Sequence, residues 1–317
     1  MQTIAKSRFV SLLFFVVLAA GAAADRKPNI VLVFIDDMGW GDFSCFGNED
    51  AKTPHIDRLA KEGVRFEQFY VNSPICSPSR TAISTGQYPQ RWGITSYLAH
   101  RDLNTRRGMA QWLDLILCLF PFEQALFEEA GLKTVCMGHP MVDQLEGERS
   151  KADRVKNLVG LFPGSREREV SRIFPLMVNV VAQLHTRYPE WEFEASAASE
   201  PLQSKMRGIL EEHGGKGLPL EIVAGKSHEL MQRAWCGVVT SGTATLEATY
   251  FGLPYCLVYK VAWPTYLAGR AVIDIEHLGM ANILAGREIV HEFIQHEATV
   301  GNVASFVESV MTDSVRR

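Results

Sequence analysis

The chain lacks an excess of basic residues, any zinc-type cysteine spacing and the composition of a disordered protein. Its formal net charge is -4 over 317 residues, so there is no electrostatic case for nucleic acid, although local basic clusters could meet anionic lipid. Its six cysteines contain no Cys-x-x-Cys pair, and we expect most of them to be buried thiols. With 47% hydrophobic and 21% charged residues, the chain has the composition of folded protein. Its length is enough for two domains.

The N-terminal apolar run is too short for a typical membrane span. Lys6 and Arg8 precede an apolar run over residues 9–20, and small residues follow at 21–24. A basic start, a short apolar segment and an Ala-x-Ala end are typical of an export signal. We therefore expect residues 1–24 to be a cleaved signal peptide, with a retained anchor as the alternative.

A first group of predicted elements follows this segment. Residues 29–35 form a continuous apolar run that predicts a buried parallel strand. A helix is predicted over 53–63 and an alternating strand over 64–70. Asp36 and Asp37 end the first strand, where carboxylates suit calcium or magnesium. A strand-end turn with solvated aspartates would give the same pattern.

A Cys-x-Pro-x-Arg motif runs from Cys76 to Arg80 in a proline-rich loop. Alone, Cys76 would fit a core thiol. Together with residues 28–42 and with Thr-Gly-Gln-Tyr-Pro at 85–89, the motif resembles the arylsulfatase family across residues 25–112. That resemblance implies an oxidised Cys76, a formylglycine whose hydrate attacks sulfur, with Arg80 steadying the loop. It also implies that Asp36 and Asp37 bind calcium or magnesium, which would stabilise the hydrate and the sulfate ester.

The sulfatase pattern then stops. The family's Gly-Lys-Trp-His segment, a further histidine and an Asp-Asn or Asp-His pair that completes the metal shell are expected next, and residues 131–140 imitate only the first of these. Two aspartates cannot fill a calcium shell of six to eight oxygens. We expect residues 25–112 to be a truncated α/β sulfatase fragment that does not hydrolyse sulfate esters.

From residue 113 onward, predicted strands and helices alternate, which predicts a Rossmann-like doubly wound parallel sheet. A charged and solvated stretch at 146–156 indicates a domain boundary, so that residues 113–150 and 151–317 form separate segments. The predicted strands cover 113–123, 132–137, 157–163, 191–195, 220–223 and the start of 234–254. The predicted helices cover 123–130, the residues after 170 with a kink at Pro175, and 202–213.

The segment 234–254 carries a candidate phosphate site. A buried strand enters the turn Ser241-Gly242-Thr243, and a helix starts at once, so that free backbone amides face the end of the strand. Glu247, one turn into the helix, could accept hydrogen bonds from ribose hydroxyls. An ordinary capped helix is the alternative. Arg166 in a second strand-end loop could pair with a diphosphate.

A third loop, at residues 281–288, offers Asn282 and Arg287. From residue 113 almost to its end, the chain resembles the lipid-A-disaccharide synthase family. The resemblance is carried by four motifs in order: Phe-Pro-Gly-Ser-Arg, Thr-Ser-Gly-Thr-Ala-Thr-Leu-Glu, Pro-Tyr-Cys-Leu-Val-Tyr-Lys and Asn-Ile-Leu-Ala-Gly-Arg-Glu. That family implies an inverting B-type glycosyltransferase with two facing Rossmann-like domains. It would transfer diacylglucosamine from UDP to diacylglucosamine 1-phosphate without a metal.

The resemblance assigns roles to these residues. Ser241, Gly242, Thr243 and Arg166 would hold the diphosphate, Glu247 the ribose, and Asn282 with Arg287 the edge of the sugar nucleotide. The tail after residue 292 would pack a helix onto the first domain. Three apolar residues could contact a membrane: Trp263, Tyr266 and Leu267. A core or inter-domain position is the alternative that we favour for them.

The family's catalytic base, an aspartate, belongs before Leu113, where sulfatase-like sequence stands instead. Asp36 and Asp37 do not match that base, so we expect impaired transfer. The chain is thus interpreted as a fusion joined near Leu113 and Asp114, with sulfuric ester hydrolase or a non-functional product as alternatives. The signal peptide implies export, whereas the transferase family implies the cytoplasmic face of the inner membrane.

Overall fold

The computed structural model describes residues 29–35, 38–49, 51–95, 107, 110, 113–263, 266–267 and 276–312. The chain divides into two compact units, one of residues 1–82 with 88–96 and the other of residues 83–87 with 97–317. The predicted signal peptide and the two predicted metal ligands, Asp36 and Asp37, lie outside the described residues. Within the described ranges, no helix is long and apolar enough to cross a membrane.

The first unit contains short helices. Its elements are a 3-10 helix (Ser44–Phe46), α1 (Pro54–Glu62), α2 (Cys76–Thr85) and a second 3-10 helix (Pro89–Trp92). The last residues of α2, from 83 on, belong to the second unit. The Ser44 hydroxyl donates to Asp57 Oδ2 at 2.7 Å, and the Thr53 hydroxyl donates to Asp57 Oδ1 at 3.1 Å. These bonds tie the start of α1 to the preceding loop.

Three predictions for this unit are wrong. The described residues 29–35 and 64–70 form no strand, and Val31 is 87% exposed. A strand buried on both faces needs hydrogen-bonded neighbours and covering layers, and the described part of this unit contains no strand that could pair with them. The motif expected in a loop instead opens α2, so Cys76 and Arg80 lie one helical turn apart.

The second unit begins with two short parallel strands, β1 (Ile116–Cys118) and β2 (Thr134–Cys136). They are connected through α3 (Pro121–Glu128), and α4 (Met141–Glu146) follows. The strand predicted over 113–123 is shorter and less buried than expected, with Leu117 57% exposed. The reason is that β1 pairs with β2 alone among the described strands, so part of its apolar surface stays uncovered.

A six-stranded parallel sheet forms the rest of this unit. Its strands are β3 (Val155–Phe162), β4 (Glu192–Ala197), β5 (Leu220–Ala224), β6 (Ala234–Thr240), β7 (Tyr255–Tyr259) and β8 (His291–Ile294). The helices are α5 (Glu167–Arg187), α6 (Glu200–Glu212), α7 (Ser227–Arg233), α8 (Thr243–Tyr250), α9 (Met280–Ala285) and α10 (Val300–Thr312). The spatial order is β5-β4-β3-β6-β7-β8, with every pairing parallel. Counted from β3, this is the Rossmann order 3-2-1-4-5-6, which confirms the predicted fold class.

The sheet is buried on both faces. Along β3, Val159 and Leu161 enter one core with helices α5, α6 and α10, whereas Leu158 and Phe162 enter a second core with α7 and α8. This two-sided burial explains why β3 and β6 read as largely continuous apolar runs rather than alternating ones. All six cysteines are free thiols, of which Cys118, Cys236 and Cys256 are buried and the other three half-buried.

The C-terminal helix α10 packs against α5 and the six-stranded sheet. Val303 and Val307 are fully buried in the same core as the apolar face of α5. The Tyr188 hydroxyl donates to Glu308 at 2.5 Å, and Arg187 Nη1 lies 2.6 Å from the same carboxylate. The expectation that the tail packs onto the first transferase domain is therefore wrong, because the apolar stripe of α10 covers its own sheet.

Candidate nucleotide-binding site

The carboxyl ends of β3, β4 and β6 open into a cleft of about 480 Å³. β3 and β6 are neighbouring strands, and the helix after β3 packs on one face of the sheet whereas the helix after β6 packs on the other. Open α/β sheets bind ligands at such a switch point. The structure brings five predicted residues together around this cleft. They are Arg166, Ser241, Gly242, Thr243 and Glu247.

The turn after β3 places a guanidinium at the cleft. Gly164 has φ +109°, which residues with a side chain rarely adopt, and a Cβ there would lie 2.6 Å from Glu169 Oε2, so any other residue would be strained and would displace the Glu169 side chain. Arg166 follows as the residue before α5, and its side chain is 83% exposed. Its Nη1 lies 3.3 Å from Glu169 Oε1. An exposed guanidinium in a long ion pair can reorient toward an entering anion.

The turn after β6 supplies backbone donors. Gly242, with φ +151°, precedes α8, and its carbonyl accepts from the Thr245 amide at 3.1 Å and the Thr245 hydroxyl at 2.7 Å. The amides of Thr243 and Ala244 belong to the first turn, where an α-helix has no intrahelical acceptors. Both residues line the cleft, and among the described residues no side chain caps the helix. This arrangement favours a phosphate group.

A histidine contacts Glu247. His228, in the first turn of α7, has Nε2 3.5 Å from Glu247 Oε2 and Nδ1 2.7 Å from Glu148 Oε2. Both His228 and Glu247 line the cleft. Sequence reasoning missed His228, Ser227 and Ser196. The signal that could have found the first two is that α7, like α8, starts directly after a strand of the sheet.

The stretch 146–156, predicted to be a solvated linker, is anchored rather than free. It is largely exposed. Arg154 Nη1 donates to the carbonyls of Met231 and Ala234 at 2.7 Å, and Nη2 donates to Phe251 O at 2.6 Å. The Gln232 amide donates to Glu148 O at 3.1 Å. These bonds to α7, to the first residue of β6 and to the residue after α8 hold Glu148 beside the cleft.

The remaining predicted transferase residues lie elsewhere. Asn282 is buried, its Nδ2 donates to Val290 O and Glu292 Oε1 at 2.7 Å, and its Oδ1 accepts from the amides of Ile289 and Val290 at 2.8 Å. It thus fixes the turn between α9 and β8. Arg287 is exposed, and neither Asn282 nor Arg287 lines the cleft. Their contact with a sugar nucleotide stays a prediction.

The sulfatase residues form no assembled site in the described part of the chain. Cys76 is half-buried at the first residue of α2, and Arg80 is exposed one turn later. No group of three or more His, Cys, Asp or Glu residues within the described ranges could hold a metal ion.

Trp263 and Leu267, which follow β7, do not lie in a core. Trp263 is 55% exposed and Leu267 is 60% exposed. The rings of Trp263 and Tyr266 pack edge to face, with centroids 5.7 Å apart. The core position that was part of the alternative favoured from sequence is therefore wrong for Trp263 and Leu267, and an inter-domain position stays a prediction.

Comparison with known proteins gives two matches along the chain. The family model of lipid-A-disaccharide synthetase matches residues 96–315, and that of sulfatase matches residues 28–115. The two matches overlap at the region that contains the junction predicted near Leu113.

Individual relatives agree with the longer match. A lipid-A-disaccharide synthase of Geobacter metallireducens is 32% identical over 217 residues, 66% of this chain and 56% of the relative. One of Nitrosococcus oceani is 27% identical over 237 residues, 72% of this chain and 59% of the relative. The chain thus spans just over half the length of these relatives.

Solved structures similar to this chain include the S. aureus MnaA-UDP complex, at TM-score 0.43 and 12% identity, covering 66% of this chain and 53% of that one. Another is E. coli ADP-heptose lipopolysaccharide heptosyltransferase II, at TM-score 0.35 and 10% identity, covering 56% and 53%. The family model of lipid-A-disaccharide synthetase matches well over half of this chain. The chain therefore belongs to the lipid-A-disaccharide synthetase family.

Proposed function

We propose that the cleft binds the UDP part of a UDP-linked diacylglucosamine, the donor of a glycosyl transfer to diacylglucosamine 1-phosphate. The observation that carries this proposal is the convergence of an exposed guanidinium, Arg166, with the free amides at the start of α8. Together they offer a positive charge and oriented N–H donors to one diphosphate. Glu247, one helical turn further, would accept hydrogen bonds from the ribose.

We further propose that the chain binds UDP without efficient turnover. Transfer needs a general base beside the attacking hydroxyl. The carboxylates lining the cleft are Glu169, paired with Arg166, and Glu247, paired with His228. Neither occupies the position of the family's aspartate, which the resemblance places before Leu113. No metal is needed for this binding, because amides and a guanidinium supply the donors.

Calorimetric titration with UDP and with uridine tests the binding proposal. We expect UDP to bind and uridine to bind at least about tenfold more weakly, because the diphosphate meets the charged and amide donors. Arg166→Ala should weaken UDP binding. Arg168→Ala, the same change on an exposed arginine of α5 that does not line the cleft, is the matched control. Equal affinity for UDP and uridine would refute the proposal.

The sulfatase match favours a second candidate activity for the first unit, sulfate-ester hydrolysis through a formylglycine at Cys76. The helix α2 carries Cys76 and Arg80 one turn apart, in the spacing that the family motif requires. Mass spectrometry of the peptide that contains Cys76 tests the modification directly. An aldehyde there supports this candidate, whereas an intact thiol in protein produced with the modifying machinery excludes it.

The exposed pair Trp263 and Leu267 would give the transferase unit a peripheral contact with lipid. Aromatic and aliphatic side chains of this kind partition into the interface of a bilayer. Flotation with anionic vesicles, comparing the wild type with a Trp263→Ser, Leu267→Ser variant, tests this contact. Equal flotation of the two proteins would remove it.

A further inference from the structure

His228 stands between two carboxylates that come from different parts of the chain. Glu148 belongs to the anchored stretch before β3, and Glu247 belongs to α8. The imidazole lies 2.7 Å from the first through Nδ1 and 3.5 Å from the second through Nε2. Its ring also packs against Phe251, with centroids 5.5 Å apart. The ring is therefore held on three sides.

The two distances differ in meaning. A separation of 2.7 Å is a hydrogen bond, so Glu148 fixes the orientation of the ring. A separation of 3.5 Å is a looser contact, an ion pair when the imidazole carries both protons, and it leaves Glu247 room to adjust. A carboxylate has two oxygens, so Glu247 can face His228 with Oε2 and accept from a ligand with Oε1. Such contacts tighten when a ligand enters the site.

We propose that His228 is a positioning residue that, oriented by Glu148, holds the Glu247 carboxylate for the ribose hydroxyls of the nucleotide. This inference rests on the proposed UDP site. It predicts that His228 contributes to affinity through the ribose hydroxyls and not through the diphosphate. If His228 only stabilised the fold, its substitution would weaken the binding of every nucleotide to the same degree.

Binding of UDP and of 2′,3′-dideoxy-UDP by calorimetry separates these effects as a double-mutant cycle. In the wild type we expect UDP to bind more tightly, because a carboxylate accepts charge-assisted bonds from the hydroxyls. His228→Asn matches Nδ1 but has no atom at Nε2, so it keeps the contact with Glu148 and loses the one with Glu247. It should reduce the preference for UDP about tenfold and change dideoxy-UDP affinity by less than about twofold.

Three further variants complete the test. His228→Gln places its amide near the Nε2 position and should restore most of the preference. Glu148→Gln weakens the orienting bond, so it should also reduce the preference, and it serves if His228→Asn does not fold. His291→Asn alters another histidine paired with a glutamate, Glu288 at 2.6 Å, that does not line the cleft, and it should change neither affinity.

The outcomes are distinct. An unchanged preference in both His228→Asn and Glu148→Gln overturns the inference while leaving the UDP site intact. Parallel loss of both affinities in His228→Asn assigns a structural role instead. A wild-type chain that binds neither nucleotide overturns the proposed function and the inference with it.

Discussion

Gly164 and Thr240 approach each other so closely at the ends of neighbouring strands that a Cβ on Gly164 would lie 3.1 Å from Thr240 Cγ2. The same Cβ would lie 2.6 Å from Glu169 Oε2, and φ is +109°. Gly164→Ala should therefore destabilise the fold by about 2 kcal/mol and displace Glu169. Urea denaturation measures the loss, and UDP titration should show weaker binding.

A glycine in open space provides the control for Gly164. Gly208 lies in α6 and is exposed, and a Cβ added there would have nothing within 4 Å. Gly208→Ala should stabilise the chain by about 0.5–1 kcal/mol, because alanine has the higher helix propensity. If both changes shifted the unfolding midpoint equally, the steric account of Gly164 would be wrong.

Arg154 is predicted to be a main anchor of the stretch before β3. Arg154→Ala would leave the carbonyls of Met231, Ala234 and Phe251 without this donor. We expect a loss of roughly 2–4 kcal/mol in the free energy of unfolding, since hydrogen bonds to a charged group are worth more than neutral ones. Lys151→Ala, on an exposed side chain of the same stretch, should change stability by less than about 0.5 kcal/mol.

The contact between α5 and α10 predicts a dependence on pH. Hydrogen bonds from Tyr188 and Arg187 lower the pKa of Glu308 below its ordinary value of 4.5. A carboxyl with a depressed folded-state pKa contributes stability that is present above pH 4.5 and is lost as the pH falls through the folded-state pKa. Glu308→Gln should thus be less stable than the wild type at pH 7, and the difference should shrink in acid. A difference that is constant from pH 7 to pH 3 would argue against this contact.

Thiol accessibility gives a further prediction. Burial raises the pKa of the Cys256 thiol well above its ordinary value, and Cys236 is buried beside it. Because the thiolate is the reactive form, iodoacetamide at pH 8 should leave both unlabelled in the native chain and label them in urea. The half-buried Cys45 and Cys136 should react first. Native labelling of Cys256 would show that the second unit opens readily.

The sequence predicts β3 and β6 of the six-stranded sheet well because both strands are largely buried on both faces, whereas no strand is predicted over β7 or β8. Residues 155–162 and 234–240 are apolar for that reason, and the turns that follow them carry the predicted Arg166 and Gly242. A local hydrophobic pattern therefore predicts a strand correctly where the tertiary structure buries that strand.

The local hydrophobic pattern fails to predict the structure where contacts with other elements decide it. Residues 29–35 have the same apolar character, yet they form no strand among the described elements, since a strand requires a hydrogen-bonded partner. His228 and Glu148 lie 80 residues apart in sequence, in a short helix and a charged stretch. Their meeting depends on how Arg154 anchors that stretch, and no local signal contains this information.

Hydrogen–deuterium exchange with and without UDP tests the central claim most directly, because the proposed ligands include backbone amides. UDP should slow exchange in peptides covering residues 241–247 and 164–169 and leave residues 53–63 unchanged. This result would place the diphosphate at the start of α8 beside Arg166. Unchanged exchange at residues 241–247 under saturating UDP, or protection confined to another region, would contradict the account.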